Sequence, residues 1–323
     1  MPAGPAAADH CSRISPFHER ATTMSEIAPQ PTSSTAPSLV GRIALVTGGA
    51  AGVGAAIAKA LAEAGARVWV ADLDSDSERG TEPALGVDGS ITQLRCDVSR
   101  ADDVRATVDA VVKAEGGVDI LVNNAGVMGR TGPLDDWESS LEDFERIVAV
   151  NLRGPFLFGR AVAPLMVQRG GGDIVMMSTD HVHTCGWPRV VSHDDSPECP
   201  WSASPRPPGA LGMDIYDATK WGLHGFTHDW AKELQQHRVR VNNICLGATD
   251  SRMIRAFSGY ADYDPPPEVI AAWQRPEAVA GVIVDLLLEG PSGRSGDNIG
   301  LWRGHPTVLP PADPLLNVNR DDD

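Results

Sequence analysis

A tyrosine and a lysine stand four residues apart in the stretch MDIYDATKWGLHGF, which runs from Met213 to Phe226. Because residues four apart lie on one face of a helix, Tyr216 and Lys220 are expected to face the same cleft. A phenol has a pKa of about 10 in water, and a neighbouring ammonium favours the phenolate. The pair therefore predicts acid–base chemistry, in which Tyr216 exchanges a proton with a bound hydroxyl group.

The segment IALVTGGAAGVGAAIAKALAEAGARVWVADLD contains a glycine-rich turn between a buried strand and an alanine-rich helix. Its glycines allow backbone N–H groups to approach a pyrophosphate, whose charge is favoured at the N-terminus of a helix. A second strand completes the unit, which predicts a dinucleotide site at Gly48, Gly52, Val53 and Gly54. The alternative is a turn that only packs the helix on the strand.

Asp72 follows the second strand of that unit and bears on the choice of dinucleotide. A carboxylate there accepts hydrogen bonds from the ribose hydroxyls of NAD and repels the 2′-phosphate of NADP. Ala51, before the second glycine, provides no basic side chain for such a phosphate. NAD is therefore the expected cofactor, and its cationic nicotinamide would further favour the phenolate of Tyr216 during hydride transfer.

From Val40 onward, short β-branched runs alternate with longer helical patterns. This alternation is typical of an α/β fold with a doubly wound, mostly parallel sheet and helices on both faces. The seven strands are expected at Ile43–Val46, Arg67–Ala71, Thr92–Cys96, Ile120–Asn123, Ile174–Ser178, Val239–Ile244 and Asn298–Trp302.

The domain organisation follows from changes in composition. Residues 1–38, rich in Ala, Pro, Ser and Thr, are expected to be a disordered extension, within which Met24 is an alternative start. Residues 39–311 are expected to form a single domain, and residues 312–323 a flexible tail.

A proline-rich insertion at about 181–213 interrupts the alternation. Its Trp187 and Trp201 predict a cover over the substrate, which favours a medium-sized cyclic or aromatic substrate. The alternatives are a surface excursion or an oligomer contact. The insertion also contains several metal-ligand residue types, but their spacing is irregular, so no metal is expected. These residues are His181, His183, Cys185, His193, Asp194, Asp195 and Cys199.

The charge and the cysteines limit the partners and the compartment. A formal net charge of -16 disfavours nucleic acid and anionic membrane surfaces. The 5 cysteines are scattered and form no CxxC pair, and the N-terminus has no hydrophobic signal segment. A cytoplasmic protein with a small-molecule partner is expected.

Six ordered motifs carry a resemblance to a known family. They are TGGAAGVG, CDV at Cys96–Val98, NNAG at Asn123–Gly126, VNLRGPF at Val150–Phe156, YDATK, and VNNICLGATDSRM at Val241–Met253. Over Gly41 to about Leu301 the chain resembles the short single-domain branch of the short-chain dehydrogenase/reductase family. The resemblance implies a Rossmann-like fold and an NAD-dependent enzyme that interconverts a secondary alcohol and a ketone.

The resemblance also implies roles for individual residues. Tyr216 would be the acid/base, and Lys220 would bind the nicotinamide ribose. Asn151 would hold a water of the proton relay, although a buried amide in a long helix can also be structural. Asp97 would contact the adenine, and Asn123 would support the sheet. The cofactor set is Gly48, Gly52, Val53, Gly54, Asp72, Asp97, Val98, Asn124, Ala125, Gly126, Tyr216, Lys220, Gly247, Thr249 and Ser251.

Three departures from the family pattern affect the site. The hydroxyl that orients the substrate falls on Thr179, with Ser178 as the alternative, in the strand end IVMMSTD. Leu246-Gly247 replaces the usual Pro-Gly, although Ser251 keeps a hydroxyl nearby. GDNIGLWRGHP replaces the usual Asp-Gly-Gly ending, and the segment Arg252–Pro267 is expected to close over the substrate.

The same resemblance implies a homo-oligomer, a tetramer or a dimer, that pairs through the stretches GPFLFGRAVAPLM and WGLHGFTHDWAKEL. Two other functions are alternatives to the dehydrogenase. A non-catalytic NAD-binding regulator or scaffold would tolerate loss of the tyrosine or the lysine, and both are present. A dehydratase or epimerase belongs to a longer branch with another glycine spacing and a larger C-terminal domain, which this chain does not show.

Overall fold

Seven parallel strands form one sheet in the order β3-β2-β1-β4-β5-β6-β7. The computed structural model describes residues 38–73, 90–180, 212–301 and 307–312. The strands are β1 Ile43–Thr47, β2 Arg67–Asp72, β3 Ile91–Arg95, β4 Ile120–Asn123, β5 Gly172–Thr179, β6 Val239–Leu246 and β7 Asn298–Leu301. Every neighbouring pair in this sheet is parallel. The expected doubly wound α/β fold is confirmed.

The helices of the described residues connect these strands. They are α1 Gly52–Glu63, α2 Ala101–Glu115, α3 Trp137–Val148, α4 Gly154–Arg169, α5 Asp214–Leu234, α6 Arg252–Phe257, α7 Pro267–Ala271 and α8 Pro276–Leu288. A π-helical turn at Ala149–Arg153 joins α3 to α4, and a short 3-10 turn at Gln235–His237 follows α5.

Helices cover both faces of the sheet. On one face α1 and α8 pack with Ile57, Leu61 and Ile283 against β1, β4 and their neighbours. On the other face α2, α4 and α5 contribute a second buried cluster that includes Phe158 and Leu223. Because both faces are buried, the strands are continuous apolar runs, which is typical of a parallel sheet.

The order of the strands reverses between β1 and β4, which pair directly. From β1 the chain builds outward to β3, and it then returns to the other side of β1 to build β4 to β7. Ligands of such sheets bind outside the carboxyl ends of the strands at this reversal. The carboxyl ends of β1, β4, β5 and β6 therefore lie at the expected position of the site.

The predicted strands are all present, with shifted ends. β5 is longer than expected because it pairs with β6 along its whole length, from Gly172 to Thr179. Asp72 is the last residue of β2 rather than the residue after it, and Cys96 lies just outside β3. The long helix expected around Asn151 is interrupted, because the π turn separates α3 from α4.

A buried ion-pair network joins β5, β6 and α8 at the amino ends of the strands. Arg240 is 2% exposed, and its Nε lies 2.7 Å from Asp173 Oδ1. Its Nη1 atom also donates to the carbonyl of Leu286 at 3.1 Å. Arg42 approaches the other carboxylate oxygen of Asp173 at 2.6 Å. The network lies at the end of the sheet opposite the expected site.

Several predictions lie outside the described residues. They concern the extension up to residue 37, the tail from residue 313, Trp302, and the insertion at 181–211 with its tryptophans and metal-ligand residue types. Within the described parts of the chain, none of the helices is both long and apolar enough to cross a membrane.

Candidate active site

Tyr216 and Lys220 lie on one face of α5 and are both buried, at 8% and 5% exposure. The Nζ atom of Lys220 donates to the carbonyl of Met177 at 2.8 Å. The same atom lies 5.5 Å from the centroid of the Tyr216 ring. The structure therefore brings the two residues together at the end of β5, as their spacing predicts.

The pKa of Tyr216 is raised above its usual value. Burial is the largest cause, and the carboxylates of Asp217 and Asp180 add to it, whereas a hydrogen bond with the Thr179 side chain lowers the pKa. Burial also lowers the pKa of Lys220 to about 8. In the protein by itself burial has the larger effect, because it disfavours the charged form of both groups. The expectation that the ammonium and a cationic nicotinamide together favour the phenolate stays a prediction.

The two hydroxyls at the end of β5 have different partners. Thr179 forms the hydrogen bond with the Tyr216 side chain, and its Oγ1 also donates to Asp180 Oδ1 at 3.3 Å. Ser178 Oγ donates to the main-chain carbonyl of Lys220 at 3.2 Å. Successive residues of a strand face opposite sides. The structure thus brings Thr179 to the phenol and directs Ser178 toward the backbone of α5.

Asn151 is fully buried on the π turn and holds the loop after β4. Its Oδ1 accepts from the Val127 amide at 2.8 Å, and its Nδ2 donates to the Val127 carbonyl at 2.9 Å. Nδ2 also lies 3.3 Å from Thr219 Oγ1. These bonds are what a structural role of the Asn151 amide requires. Its role in a proton relay stays a prediction.

Gly126 lies close to both the Asn151 amide and the Lys220 ammonium. A Cβ atom added to Gly126 would lie 3.4 Å from Asn151 Oδ1 and 3.6 Å from Lys220 Nζ, in van der Waals contact with both. The NNAG segment, the π turn and α5 therefore meet at this glycine.

The glycine-rich turn after β1 is fastened to the NNAG segment after β4. Thr47 Oγ1 accepts from the amides of Asn124 and Ala125 at 3.0 and 3.1 Å. The Asn124 side chain donates back to the carbonyls of Thr47 and Gly48 at 3.0 and 2.9 Å. Gly48 has a φ of 63° and a Cβ there would lie 2.8 Å from Ala125 Cα, so only glycine fits. The site prediction omitted Thr47, although it is the first residue of the TGGAAGVG motif.

The N-terminus of α1 fits a dinucleotide pyrophosphate. Ala51 at the cap position has a methyl side chain that makes no cap hydrogen bond to the amides of Gly52, Val53 and Gly54, and the first amide bonded within the helix is that of Ala55, which donates to the Ala51 carbonyl at 3.2 Å. A Cβ on Gly54 would meet the carbonyl of Gly48 and the side chain of Asn124, so the turn requires glycine for its close approach. Free amides at a helix N-terminus stabilise an anion.

Asp72 lies beside this turn, where its Oδ2 accepts from the amide of Ala50 at 3.0 Å. Asp97 follows β3, and its Oδ1 accepts from the amide and the hydroxyl of Ser99 at 3.0 and 2.6 Å. Val98 is 7% exposed and packs in the core cluster on the face of α2, α4 and α5. Val53 is partly buried against the core cluster on the face of α1 and α8. These residues line the edge of the sheet at which the adenosine half of a dinucleotide would bind.

The segment after β6 reaches the start of α1. Gly247 donates its amide to the carbonyl of Leu301 at 2.9 Å, and Thr249 Oγ1 donates to the carbonyl of Gly247 at 2.9 Å. Ser251 caps α6 by accepting from the amide of Ile254 at 3.3 Å. A Cβ on Gly52 would lie 3.5 Å from Ser251 Cβ, so α6 and α1 begin side by side.

An apolar wall surrounds Tyr216, and we call it the tyrosine wall. Its buried members are Ile147, Met213 and Tyr216, with Val127, Met128, Ile215 and Phe257 packed against them. The site prediction missed the apolar members. Val127 and Met128 directly follow the NNAG motif, which is a usable signal, whereas Phe257 comes from the distant α6.

Among the residues that the structure describes, no three or more His, Cys, Asp or Glu side chains form a group that could hold a metal ion.

Comparison with protein families identifies a match that covers more than half of the chain. A family model described as short chain dehydrogenase matches residues 42–188 and 208–259. The match includes the glycine-rich turn, the NNAG segment, the end of β5 and the pair on α5.

Two curated proteins illustrate the similarity. The momilactone A synthase of Oryza sativa subsp. japonica is 35% identical over 230 residues, which cover 71% of this chain and 74% of that protein. The D-threitol dehydrogenase of Mycolicibacterium smegmatis is 38% identical over 208 residues, which cover 64% of this chain and 69% of that protein.

A solved structure shares the fold. The 3-ketoacyl-(acyl-carrier-protein) reductase from Brucella melitensis, in complex with NADH, superposes with a TM-score of 0.64 at 25% identity. The alignment covers 82% of this chain and 98% of that one.

Proposed function

Since the chain belongs to the short-chain dehydrogenase/reductase family and is an oxidoreductase of that family, we propose that it interconverts a secondary alcohol and a ketone with NAD. One observation supports this reaction most directly. The Nζ atom of Lys220 lies 5.5 Å from the centroid of the buried Tyr216 ring at the carboxyl edge of the sheet, where β5 ends at the hydroxyl of Thr179. Two hydroxyls in contact can hold one substrate oxygen and exchange its proton.

The chain's own residues perform the proton transfer and the positioning. The amides of the glycine-rich turn would bind the pyrophosphate, and Lys220, which lies with Asn151 beside Gly126, would bind the nicotinamide ribose. When bound, the dinucleotide supplies the hydride acceptor or donor. Thr179 orients the substrate oxygen, and Tyr216 takes the hydroxyl proton in oxidation or donates its phenolic proton in reduction.

The raised pKa of Tyr216 keeps the phenol protonated near neutral pH. Ketone reduction needs this protonated form, whereas alcohol oxidation needs the phenolate. A positive charge near the ring favours the phenolate, so the oxidised cofactor lowers the same pKa when it is bound. Oxidation is therefore expected to accelerate as the pH rises.

We propose NAD rather than NADP because of Asp72. Its carboxylate lies at the glycine-rich turn and accepts from Ala50, beside the expected ribose position. A negative charge there repels a 2′-phosphate. The NADH in the Brucella reductase is consistent with this choice for a related fold.

A medium-sized cyclic or aromatic substrate is proposed from the tyrosine wall. Apolar side chains such as Met128, Met213 and Phe257 surround the phenol and offer contact area to a ring. Small linear polyols would leave this area exposed to water. A panel in which only small linear alcohols react would contradict this part of the proposal.

A homo-oligomer, a tetramer or a dimer, is proposed from the outer faces of α4 and α5. Phe156 on α4 is 40% exposed and Trp221 on α5 is 52% exposed, and both are large apolar side chains. Such groups are usual at contacts between subunits. Light scattering that shows a monomer at micromolar concentration would contradict this proposal.

The proposed setting is the cytoplasm, with a small molecule as the partner. Cys96 and Cys245 are buried free thiols, as expected in a reducing compartment. The net charge of -16 disfavours nucleic acid and anionic membrane surfaces as partners.

The reaction is tested with purified protein, NAD, and a panel of cyclic, steroidal, terpenoid, aromatic and sugar alcohols. Reduced-nicotinamide absorbance reports turnover. Tyr216→Phe should abolish turnover and retain NADH binding, measured by fluorescence. Trp137→Phe is the control, because that aromatic side chain is 71% exposed at the start of α3. NADH binding without turnover of any alcohol or ketone would instead favour the NAD-binding regulator or scaffold.

A further inference from the structure

Arg130 connects the loop after β4 to the C-terminal end of α6. Its Nη2 atom donates to the main-chain carbonyl of Phe257 at 2.7 Å. Its guanidinium carbon also lies 5.6 Å from the centroid of the Phe257 ring. One side chain thus holds both the backbone and the ring of the same residue.

Phe257 is the member of the tyrosine wall that α6 contributes, since it packs against the cluster of Ile147, Met213 and Tyr216. The loop that carries Arg130 is itself fixed beside the start of α5. The amide of Thr131 donates to the carbonyl of Gly212 at 3.0 Å, and Thr131 pairs with Met213 in an isolated bridge. Arg130 therefore ties Phe257, the part of the tyrosine wall that α6 contributes, to a loop that is held beside the start of α5.

The start of α6 is attached separately, because the amide of Asp250 donates to the carbonyl of Gln274 at 2.9 Å. Within α6, Arg255 pairs with Asp250 at 2.7 Å and with Asp264, beyond the helix, at 2.9 Å. None of the residues of α6, a fully described helix, is buried. The end of this short helix at Phe257 therefore depends on the contacts that Phe257 makes with the tyrosine wall and with Arg130, beside the ion pairs of Arg255.

We propose that Arg130 is a positioning residue that fastens the end of α6 over Tyr216 and thereby controls access to the phenol. Loss of the fastening lowers the fraction of molecules in which the wall is complete. A ligand that needs the complete wall then binds with an apparent affinity reduced by that fraction. The consequence for substrate binding rests on the proposed dehydrogenase function, whereas the fastening itself does not.

The fastening is tested by hydrogen exchange in the full-length protein. In Arg130→Ala, the amides at the C-terminal end of α6 should exchange about tenfold faster, because an exposed cation–π contact and a hydrogen bond are lost together. Arg130→Lys keeps one donor and the charge without the planar group, so its exchange should be intermediate. Arg105→Ala, which removes an exposed arginine from α2, should leave α6 unchanged.

Access is tested by nitration with tetranitromethane, followed by peptide mapping. Tyr216 should be nitrated several times faster in Arg130→Ala than in wild type. Nitration of N-acetyltyrosinamide added to the same reaction is the reagent control and should proceed at the same rate with both proteins. This measurement needs neither cofactor nor turnover.

The kinetic consequence separates positioning from general stability. For a ring-bearing alcohol that wild type oxidises, KM should rise up to about tenfold in Arg130→Ala, with kcat within about twofold, because ground-state and transition-state binding are weakened alike. The NADH dissociation constant should stay within about twofold. The start of α6, which lies beside the glycine-rich turn, is held by the bond from Asp250 to Gln274 and not by Arg130. Arg130→Lys should recover part of the loss in KM.

The outcomes are distinguishable. Unchanged exchange in α6 would overturn the proposal, and faster exchange with unchanged nitration would show that the contact stabilises the helix without controlling access. Faster exchange and nitration with an unchanged KM would overturn the positioning role. If wild type oxidises and reduces nothing while exchange and nitration respond, the proposed function falls and the fastening stands.

Discussion

Ser178 and Lys220 are joined by a hydrogen bond of 3.2 Å from the serine hydroxyl to the lysine main-chain carbonyl. The bond ties the end of β5 to α5. The side chain of the same lysine donates to the carbonyl of Met177, so Lys220 contacts β5 through both its backbone and its ammonium. The hydroxyl of Ser178 is thereby committed to a contact between two elements. Thr179, its neighbour, is left as the hydroxyl in contact with the phenol.

Replacement of each hydroxyl separates the two roles. Thr179→Val removes the hydroxyl that orients the substrate, so kcat should fall about 100-fold, as for the loss of one preorganised donor. Ser178→Ala removes a buried hydrogen bond and should lower the free energy of unfolding by about 1 kcal/mol with little effect on kcat. Steady-state kinetics and urea unfolding measure both. A larger loss of kcat in Ser178→Ala than in Thr179→Val would show that Ser178, and not Thr179, orients the substrate oxygen.

The pH dependence of oxidation should respond to Asp217. Its carboxylate raises the pKa of Tyr216, and the phenolate is the form that accepts the proton. Asp217→Asn removes this negative charge, so the pKa of Tyr216 falls and the rising limb of the kcat profile should move to lower pH.

A charge change elsewhere on the same helix provides the control. Asp229 is exposed on α5, and Asp229→Asn should leave the pH profile in place. A shift to higher pH in Asp217→Asn, or an equal shift in both variants, would contradict the assignment of Tyr216 as the base.

Cofactor preference should depend on the charge of Asp72. In Asp72→Asn the side chain keeps its shape and can still accept from Ala50, but it no longer repels a phosphate. The ratio of kcat/KM for NADP to that for NAD should rise by about tenfold or more, the size expected for removal of one close like charge near a surface. An unchanged ratio would show that another residue sets the preference.

Stability should depend on the buried Arg240. Arg240→Met leaves Asp173 buried without this partner, so the free energy of unfolding should fall by about 3–5 kcal/mol. NADH affinity should be retained, because the network lies at the amino ends of the strands. Arg67→Met provides the comparison, since the Arg67 side chain is 59% exposed in its pair with Glu115 and should contribute less than about 1 kcal/mol. Equal losses of unfolding free energy in the two variants would contradict the expectation that the buried pair contributes more than the exposed one.

Much of the fold was predictable because local patterns encode it. The β-branched runs gave the seven strands, and the glycines and the four-residue spacing on α5 gave the turn and the pair. The Arg130–Phe257 contact was not predictable, because it joins residues 127 positions apart. The effect of burial on the pKa of Tyr216 was not predictable from the neighbouring residues either, because burial depends on the folded chain.

The π turn at Ala149–Arg153 has a consequence for how the chain can change in length. A wide turn holds one residue more than a regular helical turn, and each residue advances a helix by about 100°. Deletion of one residue there would restore a regular helix and rotate everything after it. The side chains of Phe158 and Met166 on α4 would then turn away from the core cluster against the sheet. Asn151 would lose its hydrogen bond with the Val127 amide. A single amino-acid deletion at this point would therefore disrupt the core and the site together, so its length should be among the least variable features of the chain.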